Sequence, residues 1–525
     1  MQEDDVIKGR FVRNAAPHLA AIVLLLCCSP AERTAPEVDG RQARTARIEP
    51  DLDGTVIPPN IAPLNFTLSE AGDDFYLGIE GENGTAISVR SAEPWIEIPV
   101  KSWKRLLAAN RGASIRFDIR IRSEKGSWKA FRPIELRIAP EEIDAYLSYR
   151  LIYPLYILWR DMGIYQRCLE SFEVRPILHN QPLQKACMNC HAFCNQNSEK
   201  MLIHLRKGPG THMLLAHQDR IQRIDTTTDF NRMAGAYPSW HPLGSLIAFS
   251  VNKVNQFFHG IGENRDVFDW SSDLILYDVE SRTVTTIPEL SSPDWMETYP
   301  SWAADGRALY FCRAPQIDQD RLIDEQYRDI RYELARIPYD PANRSWGEVE
   351  TLLTPASTGK SMVQPRPSPD NRFLLFCMAD YGNFPVYRPE SDLYLYDLRE
   401  RSHRKLEINS EFSESWHSWS SNSRWIVFSS KREDGLCARP YFSYVDDSGR
   451  AHKPFRLPQR DPRFYDSSLK TYNVPEFTAN PVTVRPQELA RTALALDRTQ
   501  RAQLDPAVAP RVDSGKPDSP WMPSP

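Results

Sequence analysis

Cys187-Met-Asn-Cys190-His191 sets two thiols two residues apart, with an imidazole directly after the second. Thiols at that spacing can each add across one vinyl group of a haem, and the adjacent imidazole can then ligate the iron. The pattern occurs once, which predicts a single covalent haem c on Cys187, Cys190 and His191. The same residues also suit a redox-active or disulfide pair, or a metal site whose other ligands lie elsewhere.

A haem of this kind commonly takes a second axial ligand. The run Phe193 to His204 matches a unit repeated later in the chain if its turn is two residues longer. On that alignment Phe193 takes the place of Trp240, and His204 the place of Phe249. A histidine where other units bury phenylalanine needs a polar partner or a metal. His204 is therefore the expected distal ligand, set against a core histidine bonded to backbone. Met201, His212, Met213 and His179 are the other candidates nearby, and a five-coordinate iron is also open.

Cys168 and Cys194 flank the motif, either as a bracing disulfide or as isolated thiols. Cys312 and Cys377 each follow a repeat phenylalanine and read as small core residues. His241, His259 and His417 fall near turns of the repeats, where structural or solvated roles are expected ahead of ligand binding. Asp273, Asp392 and Asp380-Tyr-Gly-Asn383 read as turn-capping residues. The chain contains no G-x-S-x-G elbow, P-loop, G-x-G-x-x-G or H-E-x-x-H, so neither hydrolase nor nucleotide-binding machinery is expected.

The elements that position these residues show as repeats. Tyr237-Pro-Ser-Trp240 leading to Phe249 is echoed at Tyr299 to Phe311, at Gln364 to Phe376 and at Ser415 to Phe428. Trp240, Trp302, Pro367 and Trp419 each precede a phenylalanine by nine residues. A tight turn into a buried strand at this period marks propeller blades, which must stack because one blade cannot bury both faces. With the Phe193 unit, five blades are countable, whereas residues 193–480 at about 45 to 50 per blade give about six.

Before the repeats, period-two runs such as Phe75 to Ile79, Ile115 to Ile121 and Ile134 to Ile138 predict an immunoglobulin-like β-sandwich over 56–140. A short helix is expected over Ser102 to Asn110. Residues 141–192, dense in aromatics from Tyr146 to Trp159, read as a short helical connector that carries the haem motif. The haem should then sit at the blade rim, away from the central channel, with Tyr149 to Trp159 covering one face. Residues 481–525 lack periodicity and read as a disordered tail. The expected fold is all-β: a sandwich, a helical connector and a five- or six-bladed propeller.

At the start of the chain, Lys8, Arg10 and Arg13 precede the apolar core Leu19 to Leu26, which ends in Cys27-Cys28-Ser29-Pro30. Residues 1–28 resemble a bacterial lipoprotein signal, with Cys28 as the lipidated residue and 29–55 as a tether. The Tyr-Pro-Ser-Trp, Asp-Gly and Phe units resemble those of TolB-like bacterial propellers. The wider pattern resembles bacterial lipoproteins that join such a propeller to a c-type haem motif. The segments Ile57 to Phe66, Met162 to Arg167, Ser418 to Arg424 and Leu457 to Pro462 carry the closer match, over roughly residues 50–480. This resemblance implies the fold, the haem and a periplasmic or outer-membrane location held by a lipid anchor. It carries no settled activity. An electron-transfer or redox role with a redox or envelope protein partner is expected. The alternative is an envelope scaffold that binds a protein or glycan, its haem structural or absent.

Composition agrees. Lys and Arg total 64 against 69 Asp and Glu, a formal charge of −5, which argues against nucleic acid as a partner. Proline (42) outnumbers glycine (23), which disfavours long helices.

Overall fold

The protein is described by a computed structural model that covers residues 34–154, 161–206, 211–217, 220–257, 266–317 and 326–509. Residues 1–33, with Cys28, and also His259, Tyr156 and Trp159 lie outside the described residues.

Six sheets form the blades of a propeller. The antiparallel strands of blades 2 to 5 each come from one continuous stretch, with inner strands Cys187–Cys194, Ala236–Trp240, Trp295–Trp302 and Ser361–Pro367. Blade 6 begins with Glu414–Trp419. Blade 1 is assembled from both ends of the propeller segment. Its inner strand, Thr471–Thr478, pairs antiparallel with Tyr146–Ile152, which continues to Gly163–Cys168 and Val174–His179. This pairing closes the ring and removes the exposed edges an open array would present.

The blade count and two boundaries follow from that closure. The sequence showed five units because the sixth is split between residues 146–179 and 471–478. The expected helical connector is corrected: its described part is three strands and a short turn. Strand Tyr146–Ile152 is buried on both faces, so its residues carry no period-two signature. The tail is also structured as far as residue 509. Helix Pro486–Leu494 buries Leu489, Ala490 and Ala493. Strand Gln500–Arg501 then adds in parallel to the outer edge of blade 2, and Gln503–Leu504 to that of blade 3.

The N-terminal unit has a seven-stranded and a three-stranded sheet, covered by helix Val100–Ala109 through Trp103, Leu106 and Leu107. Its strands begin at Gly40, so the expected tether is partly sheet. Its core runs into the propeller, where Trp425, Phe442, Phe455 and Phe477 join Trp103 and Phe117 in one apolar cluster. Asp144 fastens the seam by accepting hydrogen bonds from the Ser421 amide at 2.7 Å and its hydroxyl at 2.6 Å.

Candidate functional site

The inner strands share a backbone feature that aims their side chains at the propeller axis. Tyr237, Tyr299, Gln364, Trp416 and Val474 have φ of 48°, 52°, 57°, 45° and 49°, and each sits three residues before the end-of-strand Trp, Pro or Phe. Left-handed backbone at a bulky residue costs about 1 to 3 kcal/mol, so its recurrence in five blades is imposed by the fold. The ladder shifts register at each of these points. The next residue is Pro238, Pro300, Pro365, His417 or Pro475. In blade 2 the equivalent pair is Cys190-His191, because Phe193 pairs with Met201 as Trp240 pairs with Ile247.

These positions surround a recess of about 440 Å³, part of it open to solvent, lined by His191, Tyr237, Tyr299, Gln364, Arg366, Trp416 and His417 among others. The Tyr237 and Tyr299 rings lie 4.3 Å apart, with Trp416 at 6.2 Å and 6.3 Å from them. The motif thus stands on an innermost strand facing the axis. The expected rim position is corrected: the turn after Phe193 ends the inner strand, so the residues before it belong to the channel wall.

His191 is 2% exposed; the Ser148 backbone lies beside its ring and favours the charged form, but no hydrogen bond of normal geometry reaches either ring nitrogen. Burial, aided by the Arg150 charge, pushes its pKa down to about 3, so the imidazole is neutral with its lone pair available. Its Nε2 lies 4.0 Å from Oε2 of Glu476, whose carboxyl is pushed up to about 7 by desolvation. With His191 neutral, this contact is not an ion pair. Glu476 instead accepts a hydrogen bond from the Phe193 amide at 3.0 Å. Arg150 reaches from blade 1 and donates through Nη1 to the carbonyls of Met188, at 2.8 Å, and Asn189. The motif's strand is therefore gripped from the neighbouring blade. Cys187, at the head of the strand, is a partly buried free thiol. Cys190 is placed by its strand position alone.

His204 does not join this group. His191 pairs across the ladder with Ile203, so Ile203 shares its face and His204 projects from the other. The turn is one residue longer than in blade 3, not two, so Ile203 matches Phe249 and His204 matches Ser250. His204 is 2% exposed, its ring nitrogens are unpartnered, and burial pushes its pKa down to about 3. As folded, His191 and His204 cannot face one iron, which corrects the distal-ligand expectation.

The other candidates have separate roles. His417 occupies the position of His191 in blade 6, but its Nε2 donates to the Leu375 carbonyl at 3.1 Å and its Nδ1 lies 3.6 Å from the Cys377 thiol. His241 bonds the Gly306 carbonyl at 3.1 Å and the Leu243 amide at 3.2 Å. Arg223 holds His212 at 2.8 Å, and Asp161 holds His179 at 2.9 Å. Met201 and Met213 are core side chains. Cys168 and Cys194 are free, and Cys312 and Cys377 are fully buried. Asp380 and Asp392 pair with Lys360 and Lys405 through their side chains, not with turn amides.

A covalent haem would draw on Cys187 and His191, which the ladder turns to opposite faces of the strand, Cys187 with Arg206 and His191 with Ile203, so one haem could take both only if this strand repacked. Among the described residues no three His, Cys, Asp or Glu side chains converge on a metal. A haem iron needs no such group, since the macrocycle fills four positions and one imidazole a fifth. His191 is a buried, neutral imidazole on the same strand as a free thiol. Sequence reasoning missed Arg150 and Glu476, which reach the motif from the blade closed by the far end of the chain.

No protein-family model and no curated protein matches the chain. Among solved structures it is similar to an oligogalacturonate lyase from Vibrio parahaemolyticus, with 12% identity over 73% of this chain and 100% of that one, at a TM-score of 0.33. It is also similar to the Dos1 propeller, with 12% identity over 52% of this chain and 63% of that one, at 0.32. A chain of the nidogen–laminin complex matches at 8% identity over 59% and 92%, at 0.36. At these values they accompany the β-propeller architecture and carry no functional argument.

Proposed function

We propose that this chain is a c-type haem protein of the bacterial envelope, with its haem held on the propeller axis by Cys187, Cys190 and His191. One observation carries the reading. Where four blades place proline at the axial step, blade 2 places His191, a buried neutral imidazole that directly follows Cys190 in the chain. A haem bound there supplies one-electron redox chemistry. The chain's own residues account for the rest: His191 offers the neutral nitrogen, Arg150 holds the strand, and Tyr237, Tyr299 and Trp416 limit water and lower the local dielectric. Attachment through Cys28, a periplasmic or outer-membrane location, an envelope redox partner and the TolB-like resemblance belong to the same proposal.

The test is expression of the full chain with haem-maturation machinery. A haem-stained band should survive denaturing electrophoresis and vanish in the Cys187→Ala, Cys190→Ala double variant. A colourless protein with both thiols free to alkylation overturns the proposal. Loss of haem with unchanged capture of a defined envelope partner supports the scaffold reading instead.

A further inference from the structure

Outside the ring, the tail helix Pro486–Leu494 lies over the junction where blade 1 meets the motif's blade. It packs on the outer strand of blade 1, Val174–His179, and on the two outer strands of blade 2, His212–His217 and Arg220–Asp225. It also packs on the single turn Gln181–Leu183, which leads into the motif's strand. Leu489 and Ala493 are fully buried there, in one apolar cluster with Leu183, Ala186 and Met188, and Cys187 packs against that cluster. Arg223 of blade 2 ties down the helix end. It donates through Nη1 to the Ala493 carbonyl and through Nε to the Thr499 hydroxyl at 2.7 Å. Beyond the helix, the chain pairs two residues with blade 2 and two with blade 3.

The backbone beneath the helix is strained. Gln184 and Lys185 follow the turn with φ of 54° and 56°. Left-handed backbone is disfavoured for residues that carry a Cβ. Among the described residues the other non-glycine pair of this kind is Asn195 and Gln196, a two-residue hairpin turn that requires such backbone. Gln184 and Lys185 close no hairpin, and both are exposed. The strain is therefore held by what flanks them. On one side, the turn that carries Leu183 is packed under the helix. On the other, the ladder fixes Cys187 opposite Arg206, and Nδ2 of Asn180 donates to the Ala186 carbonyl at 3.3 Å. If the helix leaves, the strain favours release of the segment that follows.

We propose that residues 486–505 are a latch on the motif's strand. When the helix lifts, the turn relaxes and the head of the strand, with Cys187, leaves the ladder. The repacking that one haem would need starts at this point. The latch rests on the haem reading for its purpose alone, and its test uses no haem. The full chain, made without haem-maturation machinery and kept reduced, would be alkylated with N-ethylmaleimide and read by peptide mass spectrometry. In Leu489→Asp, Cys187 should react at least about tenfold faster, with Cys312 and Cys377 unchanged. Leu494→Asp, on the exposed side of the same helix, should stay within about twofold of the unaltered protein. Lys185→Gly removes the strain at one residue and should slow Cys187 by about threefold. A Cys187 rate unmoved in Leu489→Asp, raised equally in Leu494→Asp, or not slowed in Lys185→Gly would overturn the latch. If Cys312 and Cys377 also react faster in Leu489→Asp, that variant has unfolded, and amide exchange of the unaltered chain decides. Peptides spanning 486–494 and 181–189 should then lose protection together, ahead of 373–379, and protection at 181–189 that outlasts the helix would overturn the proposal. A colourless protein that passes these tests keeps the latch and loses the haem; a haem-stained protein that fails them does the reverse.

Discussion

Replacing Glu297 by glutamine should stabilise the protein, and increasingly so as the pH rises. Glu297 lies on the inner strand of blade 4 and is 1% exposed. Its Oε1 accepts a hydrogen bond from the Ser292 amide at 3.2 Å, whereas Oε2 has no partner. Burial first, and the charge of Asp273 second, push the carboxyl up to about 9 from the ordinary 4.5. Between those values the folded protein keeps a proton that the unfolded chain releases. Stability from this group is therefore fully present below pH 4.5 and is lost as the pH rises through 9. The slope is up to about 1.4 kcal/mol per pH unit, which gives an upper bound of about 5 kcal/mol by pH 8. Glutamine keeps the shape and the Ser292 bond and has no proton to lose. Urea unfolding of both proteins at pH 5, 6.5 and 8 should show a gap below about 1 kcal/mol at pH 5, widening to about 3 to 5 kcal/mol at pH 8. Parallel curves across that range would refute the reasoning. A variant less stable at pH 8 would mean that the carboxylate is charged and paired in the folded state.

Two further substitutions test the closure of the ring and the grip on the motif. Phe477→Ala, at a fully buried position in the closing strand with Phe442 at 6.0 Å, should cost about 3 to 5 kcal/mol and hasten proteolytic release of the C-terminal segment; unchanged digestion would count against closure by this strand. Arg150→Met should cost about 1 to 3 kcal/mol in urea unfolding, because one buried and one part-buried carbonyl in the motif's strand lose their donor, whereas a loss below about 0.5 kcal/mol would show the grip to be dispensable.

The sequence made the repeated blades legible and left the closed one hidden, for a physical reason. In blades 3, 4 and 6 a tryptophan ends the inner strand and a phenylalanine follows in the second strand, so one spacing repeats. Blade 1 has no such unit because its inner strand enters from residues 471–478, and no local window contains both partners. The aromatic density of Tyr146 to Ile152 then reads as a helix face, when it is a strand covered on both sides. The tail held a readable signal. Pro486 opens a helix, and Leu489, Ala490 and Ala493 fall on one face of it. At the candidate site the motif itself was legible, but its place was not. Whether Cys190 and His191 face the axis depends on a register shift in the inner strand, which composition does not encode.

That register turns a short pattern into an argument. A five-residue motif can arise by chance anywhere, and in isolation it weighs little. Set among its five equivalents, it departs from a rule that four of them obey. The axial step takes proline in blades 1, 3, 4 and 5, where a fixed φ suits the residue after a left-handed one. Blades 2 and 6 give up that proline for histidine. In blade 6 the exchange is repaid locally, since His417 bonds the Leu375 carbonyl. In blade 2 the polar groups nearest His191 are the Ser148 backbone and, at 4.0 Å, Glu476, a looser arrangement than the direct bond His417 makes. A histidine in place of proline at this step, directly after Cys190 in the chain, is the departure on which the proposed haem site rests.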